Sequence, residues 1–134
     1  MKRREFLTSS LAASTLAFTG HAQSQAPATG PREYYHLRKY HMQNGPQTRL
    51  TEDFVADALI PALNRLDIAP VGAFHLDLGP ETPTLYVLMP STHLETLVNI
   101  DHKLVEDEAF MKAAEPFWSA PATAPAFIRA ESSL

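Results

Sequence analysis

Five polar side chains in the sequence have the types and the strand spacing that a chemical site needs: His36, Arg38, His75, Asp77 and Tyr86. An arginine can hold a carboxylate or an enolate, and a histidine can move protons near neutral pH. We therefore name these residues as candidate catalytic or ligand-binding groups. The alternative is that they pair with one another, and with a partner subunit, as a polar interface.

Other kinds of chemistry find less support. The chain has no cysteine, which excludes a disulfide framework, a thiolate nucleophile and a cysteine zinc site. His36, His41, His75, His93 and His102 show no HExxH or other tight ligand spacing, so we predict no metal site and no cofactor. The adjacent residues Asp101 and His102 point in different directions on a helix and do not form a ligand pair.

Length and charge limit the class of protein. A chain of 134 residues, 45% of them hydrophobic, is enough for one compact domain and too short for two. The formal net charge of −4 argues against a nucleic-acid partner, which would leave a basic footprint.

The first residues resemble a twin-arginine export signal, with Arg3-Arg4 followed by Phe6 and Leu7. The alternative is the basic start of an amphipathic helix. The apolar run at 11–18 is far shorter than the ~20 residues of a membrane span, so we predict no stable membrane anchor.

This resemblance gives the domain boundaries. We assign 1–26 to the signal, 27–32 to a flexible linker and 33–134 to the folded domain, with cleavage after Ala22 or Ser24. The resemblance implies a periplasmic or secreted protein. Removal of the basic start makes the remaining domain more acidic than the full chain.

Periodicity predicts strands at 33–42, 71–78, 84–89 and 126–131, and a helix at 51–66. A second helix carries an apolar stripe from 94 to 105, and 108–114 either continues it or forms a separate short helix. We expect Pro61 to kink or break the first helix.

Local signals mark where these elements begin and end. Thr51 is the predicted N-cap of the first helix, and Thr92 with Glu95 forms a predicted capping box for the second. Pro90 is expected to end the third strand, and Pro116 to end the last helical run.

The order strand, helix, strand, strand, helix, strand predicts an α+β, ferredoxin-like βαββαβ fold. In that fold a four-stranded antiparallel sheet carries two helices on one face. The other face is left without helices, and a second copy of the domain is its simplest partner. We therefore predict a homodimer through this sheet face.

Strand alternation assigns residues to the two faces. We call the alternate residues that share one face a row. The first row is predicted to lie under the helices and comprises Gly72, Phe74, Leu76 and Leu78. The second row is predicted to face the cavity between two sheets and comprises Tyr34, His36, Arg38, Tyr40 and Met42, with Val71, Ala73, His75 and Asp77. Tyr86, and Arg129 or Glu131, are expected to join this cavity.

Four phrases in order along the chain are similar to the NIPSNAP family: Tyr35-His36-Leu37-Arg38-Lys39-Tyr40, Leu59-Ile60-Pro61-Ala62-Leu63, Ile68-Ala69-Pro70-Val71-Gly72 and Leu85-Tyr86-Val87-Leu88. The resemblance covers 33 to about 133. It implies a dimeric α/β barrel, in which two sheets close face to face. His36 departs from the family pattern, which has glutamate there. Bacterial relatives with a signal peptide look like tandem pairs of such domains, whereas this chain has one.

The sequence thus predicts an exported NIPSNAP-like domain that is homodimeric and either binds a small organic ligand in the inter-sheet cavity or acts as a structural module. One alternative is a cofactor-free monooxygenase or isomerase, with Arg38 and either His75 or His36 at its site. Another is a protein-interaction adaptor, for which the candidate surface residues are Phe117, Trp118 and Phe127.

Overall fold

The structure, a computed structural model, describes residues 30–134. Residues Pro31–Leu134 form one compact unit. The predicted export signal at 1–26 and the start of the predicted linker at 27–32 lie outside the described residues. Within the described part of the chain, no helix has the length and apolar content needed to cross a membrane.

The described residues form an α+β domain built on one antiparallel sheet. Its strands are β1 (Tyr34–His41), β2 (Gly72–Leu76), β3 (Thr84–Ser91) and β4 (Arg129–Ser133), in the spatial order β2-β3-β1-β4. The helices are α1 (Pro46–Asp53), a π-helical segment (Phe54–Leu59), α2 (Ile60–Arg65), α3 (Leu94–Val98), α4 (Ile100–Glu106), α5 (Glu108–Ala113) and α6 (Glu115–Trp118). The predicted α+β class with a four-stranded antiparallel sheet is confirmed.

The first helical region begins at Pro46, earlier than predicted. Gly45 precedes it with φ 98°, a left-handed conformation that glycine adopts without steric cost. Pro46 then occupies the first turn, where its missing amide proton is not needed. The predicted N-cap role of Thr51 is therefore wrong, because Thr51 lies inside α1.

Pro61 does not break this region, in which helical residues run without interruption from Pro46 to Arg65. The helix adopts π-helical geometry over Phe54–Leu59, immediately before the turn that contains Pro61. Proline cannot donate to the carbonyl one turn earlier, and its ring crowds that carbonyl. A π-helical segment is one way to relieve this conflict without ending the helix.

The second helical region is divided into short helices. Asp107 caps α5, since its side chain accepts a hydrogen bond of 3.0 Å from the Phe110 amide. This cap confirms the separate short helix among the two predicted alternatives. Pro116 lies within α6 rather than ending the run, because it occupies the first turn, where proline is tolerated.

The predicted capping box of Thr92 and Glu95 is not formed. His93, in extended conformation, is the residue before α3, and no side chain caps the helix. The His93 amide donates to the Ser91 hydroxyl at 3.1 Å instead. Thr92 therefore lies one position too early to serve as the cap.

Strand β3 continues through Pro90, where it was predicted to end. Pro90 is in register with Tyr35 of β1, whereas the pairing with β2 reaches only Gly72 and Leu88. Pro90 thus lies where β3 has a neighbour on one side only, a position that tolerates proline.

The sheet register reverses the predicted assignment of faces. Arg38 and Tyr40 are in register with Val87 and Leu85, which are buried against the helices. Phe74 is in register with Tyr86, on the opposite face, and is 56% exposed. The row of Arg38 therefore lies under the helices, and the row of Phe74 lies on the helix-free face.

The reason lies in what each row can bury. Tyr40 and Met42 are both buried in the core, and they carry the rest of their row to the helix side. On the same side, Leu85, Val87 and Met89 of β3 are buried. In β2 the small residue Ala73 faces the helices, so the larger Phe74 is left on the open face. Alternation in these strands is clear, but it does not say which row faces inward.

We predict that Thr51→Val lowers the free energy of unfolding by about 1–3 kcal/mol, because Thr51 is fully buried and its hydroxyl donates to the Ala126 carbonyl at 2.7 Å. Valine has the same shape and leaves that carbonyl without its donor. Urea denaturation measures the change. Thr48→Val, which removes a hydroxyl bonded to the Gln43 carbonyl nearer the surface, is the control. Equal effects of the two substitutions would contradict the prediction.

Candidate functional site

The site is a cavity of about 280 Å³ between the helix-facing side of the sheet and the helices α4 to α6, next to β4. We call it the helix-side pocket. Aromatic rings make up much of its wall, and they come from β1, the helices and the segment before β4: Tyr40, Phe54, Phe110, Phe117, Trp118 and Phe127.

These rings pack against one another and fix the shape of the pocket. Phe54 stacks on Phe117 with ring centroids 3.9 Å apart, and Phe117 stacks on Phe127 at 5.5 Å. Tyr40 meets Phe117 edge to face at 6.1 Å. Such contacts favour defined ring orientations, so the pocket has a preformed apolar wall.

Arg38 brings a positive charge into this apolar surrounding. Its side chain is only 11% exposed, and its Nη2 donates to Oδ1 of Asp101 at 2.7 Å. The Asp101 side chain, on α4, is 77% exposed. Among the described residues, Arg38 Nε is buried without a hydrogen-bond partner. The pocket thus contains a nearly buried cation whose counter-ion lies mostly in solvent.

The groups around Arg38 keep their ordinary charge states. Burial alone would lower the pKa of the Arg38 guanidinium, but Tyr40 and Asp101 outweigh it and raise that pKa. Burial raises the pKa of the Tyr40 hydroxyl, against the opposing effect of Arg38. At neutral pH the pocket therefore presents a charged guanidinium beside a protonated phenol.

His36 precedes Arg38 by two positions, on the same face of β1, but does not line the pocket. It is 8% exposed, and burial, followed by the charge of Arg38, lowers its pKa. The ring interacts with the Leu97 carbonyl, while Nδ1 is buried and has no partner within the described residues. His36 is therefore a neutral, buried group behind the site.

The other three candidates lie elsewhere. His75 faces the helices at the far edge of the sheet, where its Nε2 is 3.1 Å from a carboxylate oxygen of Glu52. Asp77 follows the end of β2. Tyr86 lies on the helix-free face, with the Lys39 ammonium 5.6 Å from the centre of its ring. The structure thus places Arg38 and His36 side by side and separates them from the remaining candidates.

The helix-free face has its own polar cluster at β4. Glu131 lies 2.7 Å from Arg129, 3.4 Å from His41 and 3.8 Å from Lys39. Arg129 and Glu131 therefore do not join the row of Arg38, because register places them on the other face.

Sequence reasoning missed two polar residues of the pocket. The sequence around Asp101 and Ser132 carries no signal that places either residue beside Arg38. Phe117, Trp118 and Phe127 were named as candidates for a protein-binding surface, and the structure places all three in the pocket wall. Their clustering with Phe54 and Phe110 depends on long-range packing. In residues 30–134, no group of three histidine or acidic side chains is placed to hold a metal ion.

The fold defined by these elements is that of NIPSNAP family proteins. One such protein from Agrobacterium tumefaciens is 16% identical, with a TM-score of 0.59 over 78% of this chain and 84% of that one. A second from the same organism, described as having unknown function, is also 16% identical, with a TM-score of 0.59 over 77% and 86%.

An uncharacterised NIPSNAP-like domain protein from Burkholderia xenovorans is 14% identical, with a TM-score of 0.58 over 78% of this chain and 84% of that one. No family model and no curated protein sequence matches this chain. At these identities the likeness concerns the fold alone.

The lowered pKa of His36 predicts a loss of stability in acid. Unfolding restores the ordinary pKa of 6.5, so below that pH the unfolded chain binds more protons than the folded one. The free energy of unfolding should therefore fall as pH drops through 6.5 towards the pKa of the folded state. Urea titrations between pH 7.5 and about 5 measure this slope.

His36→Gln should make that slope shallower, whereas His102→Gln, at a side chain 76% exposed, should leave it unchanged. An unchanged slope in His36→Gln would contradict the assignment of His36 as a buried neutral group.

Proposed function

We propose that this domain binds a small, largely apolar organic molecule in the helix-side pocket. The observation that carries the proposal is the aromatic cavity of about 280 Å³ with a single buried cation. Small-molecule sites are typically concave and apolar, with a few polar groups that orient the ligand. An apolar cavity of roughly 150 Å³ is enough for benzene, so a molecule with one ring and a short substituent fits here.

Binding is favoured over acid–base catalysis. None of the described residues lining the pocket is a histidine, and His36 and His75 lie outside it. The cofactor-free monooxygenase or isomerase remains the enzymatic alternative, and it requires a proton-transfer group beside Arg38. Tyr40, with its raised pKa, does not provide a base near neutral pH.

The proposal includes a homodimer. The order β2-β3-β1-β4, with helical regions after β1 and after β3, supports a ferredoxin-like arrangement. The helix-free face presents exposed Phe74 together with charges of both signs, Lys39 and Arg129 against Glu131. A face with both signs of charge can pair with its own copy across a twofold axis, which supports a dimeric α/β barrel.

The proposal also includes export. The Arg3-Arg4 pair with Phe6 and Leu7 supports twin-arginine transport to the periplasm or beyond. Such a protein would meet its ligand outside the cytoplasm.

Ligand binding can be measured through Trp118, the single tryptophan of the chain, which lines the pocket. Phenylacetamide, a neutral single-ring probe, should change its fluorescence saturably. Ala130→Leu adds a larger side chain to the pocket lining and should weaken binding by at least about tenfold. Ala113→Leu, on an exposed position of α5, is the control. No saturable change in the unmodified protein, or equal affinity in Ala130→Leu, would contradict the proposed site.

Native mass spectrometry of protein purified from the periplasm tests the dimer and the export signal together. The mass should be that of two chains, each beginning after Ala22 or Ser24. Phe74→Glu should convert the dimer to a folded monomer, because it places a charge in the apolar part of the proposed interface. Leu78→Glu, at a position 89% exposed beyond the end of β2, should not. A monomer in the unmodified protein, or a dimer in Phe74→Glu, would contradict the interface.

A further inference from the structure

We infer that the ligand of the helix-side pocket is an aryl carboxylate, whose anionic group pairs with Arg38 in place of Asp101. This inference rests on the proposed function, since it names the ligand class of the same pocket. The chemistry that recognises the ligand is a nearly buried guanidinium at one end of an aromatic cavity.

Arg38 has unused capacity to bind an anion. A guanidinium carries donors in a planar fork that matches the two oxygens of a carboxylate. Only Nη2 is engaged by Asp101, through one carboxylate oxygen, and Nε has no partner within the described residues. A carboxylate seated end-on at the fork would accept from both terminal nitrogens, Nη1 and Nη2. The ion pair with Asp101 therefore leaves some of the N–H donors of Arg38 unused.

Ser132 supplies a second donor at the same end of the pocket. It lies directly opposite Arg38 in the pairing of β1 with β4, and both residues line the cavity. Side chains directly opposite on one face of an antiparallel pair lie close enough to act on one group. An anion at Arg38 can thus also accept from the Ser132 hydroxyl.

Asp101 is suited to exchange. Its side chain is 77% exposed on α4, whereas Arg38 is 11% exposed. When a ligand carboxylate takes its place at Arg38, Asp101 can turn into water, where its charge is hydrated, while the guanidinium stays paired. In the ligand-free protein it keeps the buried guanidinium paired, which a charge in an apolar surrounding requires.

The aromatic wall of the pocket determines the chemistry of the apolar part of the ligand. Phe54, Phe117 and Trp118 line the same cavity as Arg38. A ring joined to a carboxylate by a short linker can place its ring on this wall and its anion at Arg38.

Titration of Trp118 fluorescence with phenylacetate and with phenylacetamide, in which a neutral NH2 group replaces the anionic oxygen, tests the inference. Phenylacetate should bind more tightly than phenylacetamide. Asp101→Asn should tighten phenylacetate binding by about five- to tenfold, because it removes the competing anion, and change phenylacetamide binding by a smaller factor. Asp53→Asn, at an exposed position on α1, makes the same change in net charge and should alter neither.

Arg38→Lys keeps the charge but loses the planar fork. It should weaken phenylacetate binding by a larger factor than phenylacetamide binding. This result separates a loss of anion recognition from a general loss of the pocket, since the neutral probe reports the pocket in every variant.

Equal affinities for the two probes, with no effect of Asp101→Asn, would overturn the carboxylate inference and leave the proposed pocket intact. Failure of both probes to bind the folded protein would overturn the proposed function itself. Tighter phenylacetate binding in Asp53→Asn as well as in Asp101→Asn would show a general charge effect, and would also overturn the exchange at Arg38.

Discussion

The burial of Tyr40 against the helices is the constraint on which the rest of the site depends. Its ring is 4% exposed and meets Phe54, Phe117 and Phe127 edge to face. Because strand residues alternate between faces, burying Tyr40 commits Arg38 and His36 to the same side. A charged arginine is thereby held under the helices, where no charge would be placed for stability alone.

The charge of Arg38 is stabilised by neighbouring groups without a counter-ion that is equally buried. The α4 helix supplies Asp101 from the solvent side, and the Tyr40 hydroxyl lies beside the guanidinium. His36, the next residue of the row, is kept neutral by burial and by the charge of Arg38. The result is a preformed pocket whose buried charge, Arg38, comes from β1 and whose counter-ion, Asp101, comes from α4.

Much of the fold could be predicted from the sequence, because it depends on local periodicity. The four strands and the first helix follow from alternation and helical spacing, and the irregularity near Pro61 follows from the chemistry of proline. The choice of inward face could not be predicted in this way. Both rows of β1 mix polar and aromatic residues, so only the packing against helices distant in sequence decides between them.

The same limit applies to the candidate site. Arg38 was recognised by its chemistry, but Asp101 and Ser132 become its neighbours only through the placement of α4 and the register of β4. The predicted capping roles of Thr51 and Thr92 were wrong for a more local reason. Gly45 with Pro46, and Ser91 with His93, begin their helices by other means.

The pocket wall formed by β4 differs from the other walls because it has fewer neighbours in the sheet. This strand of five residues is an edge strand, paired only with β1 in the described sheet. Edge elements with few partners open at lower free energy than a central strand such as β1. Transient separation of β4 would therefore uncover the cavity while leaving β1, β2 and β3 paired.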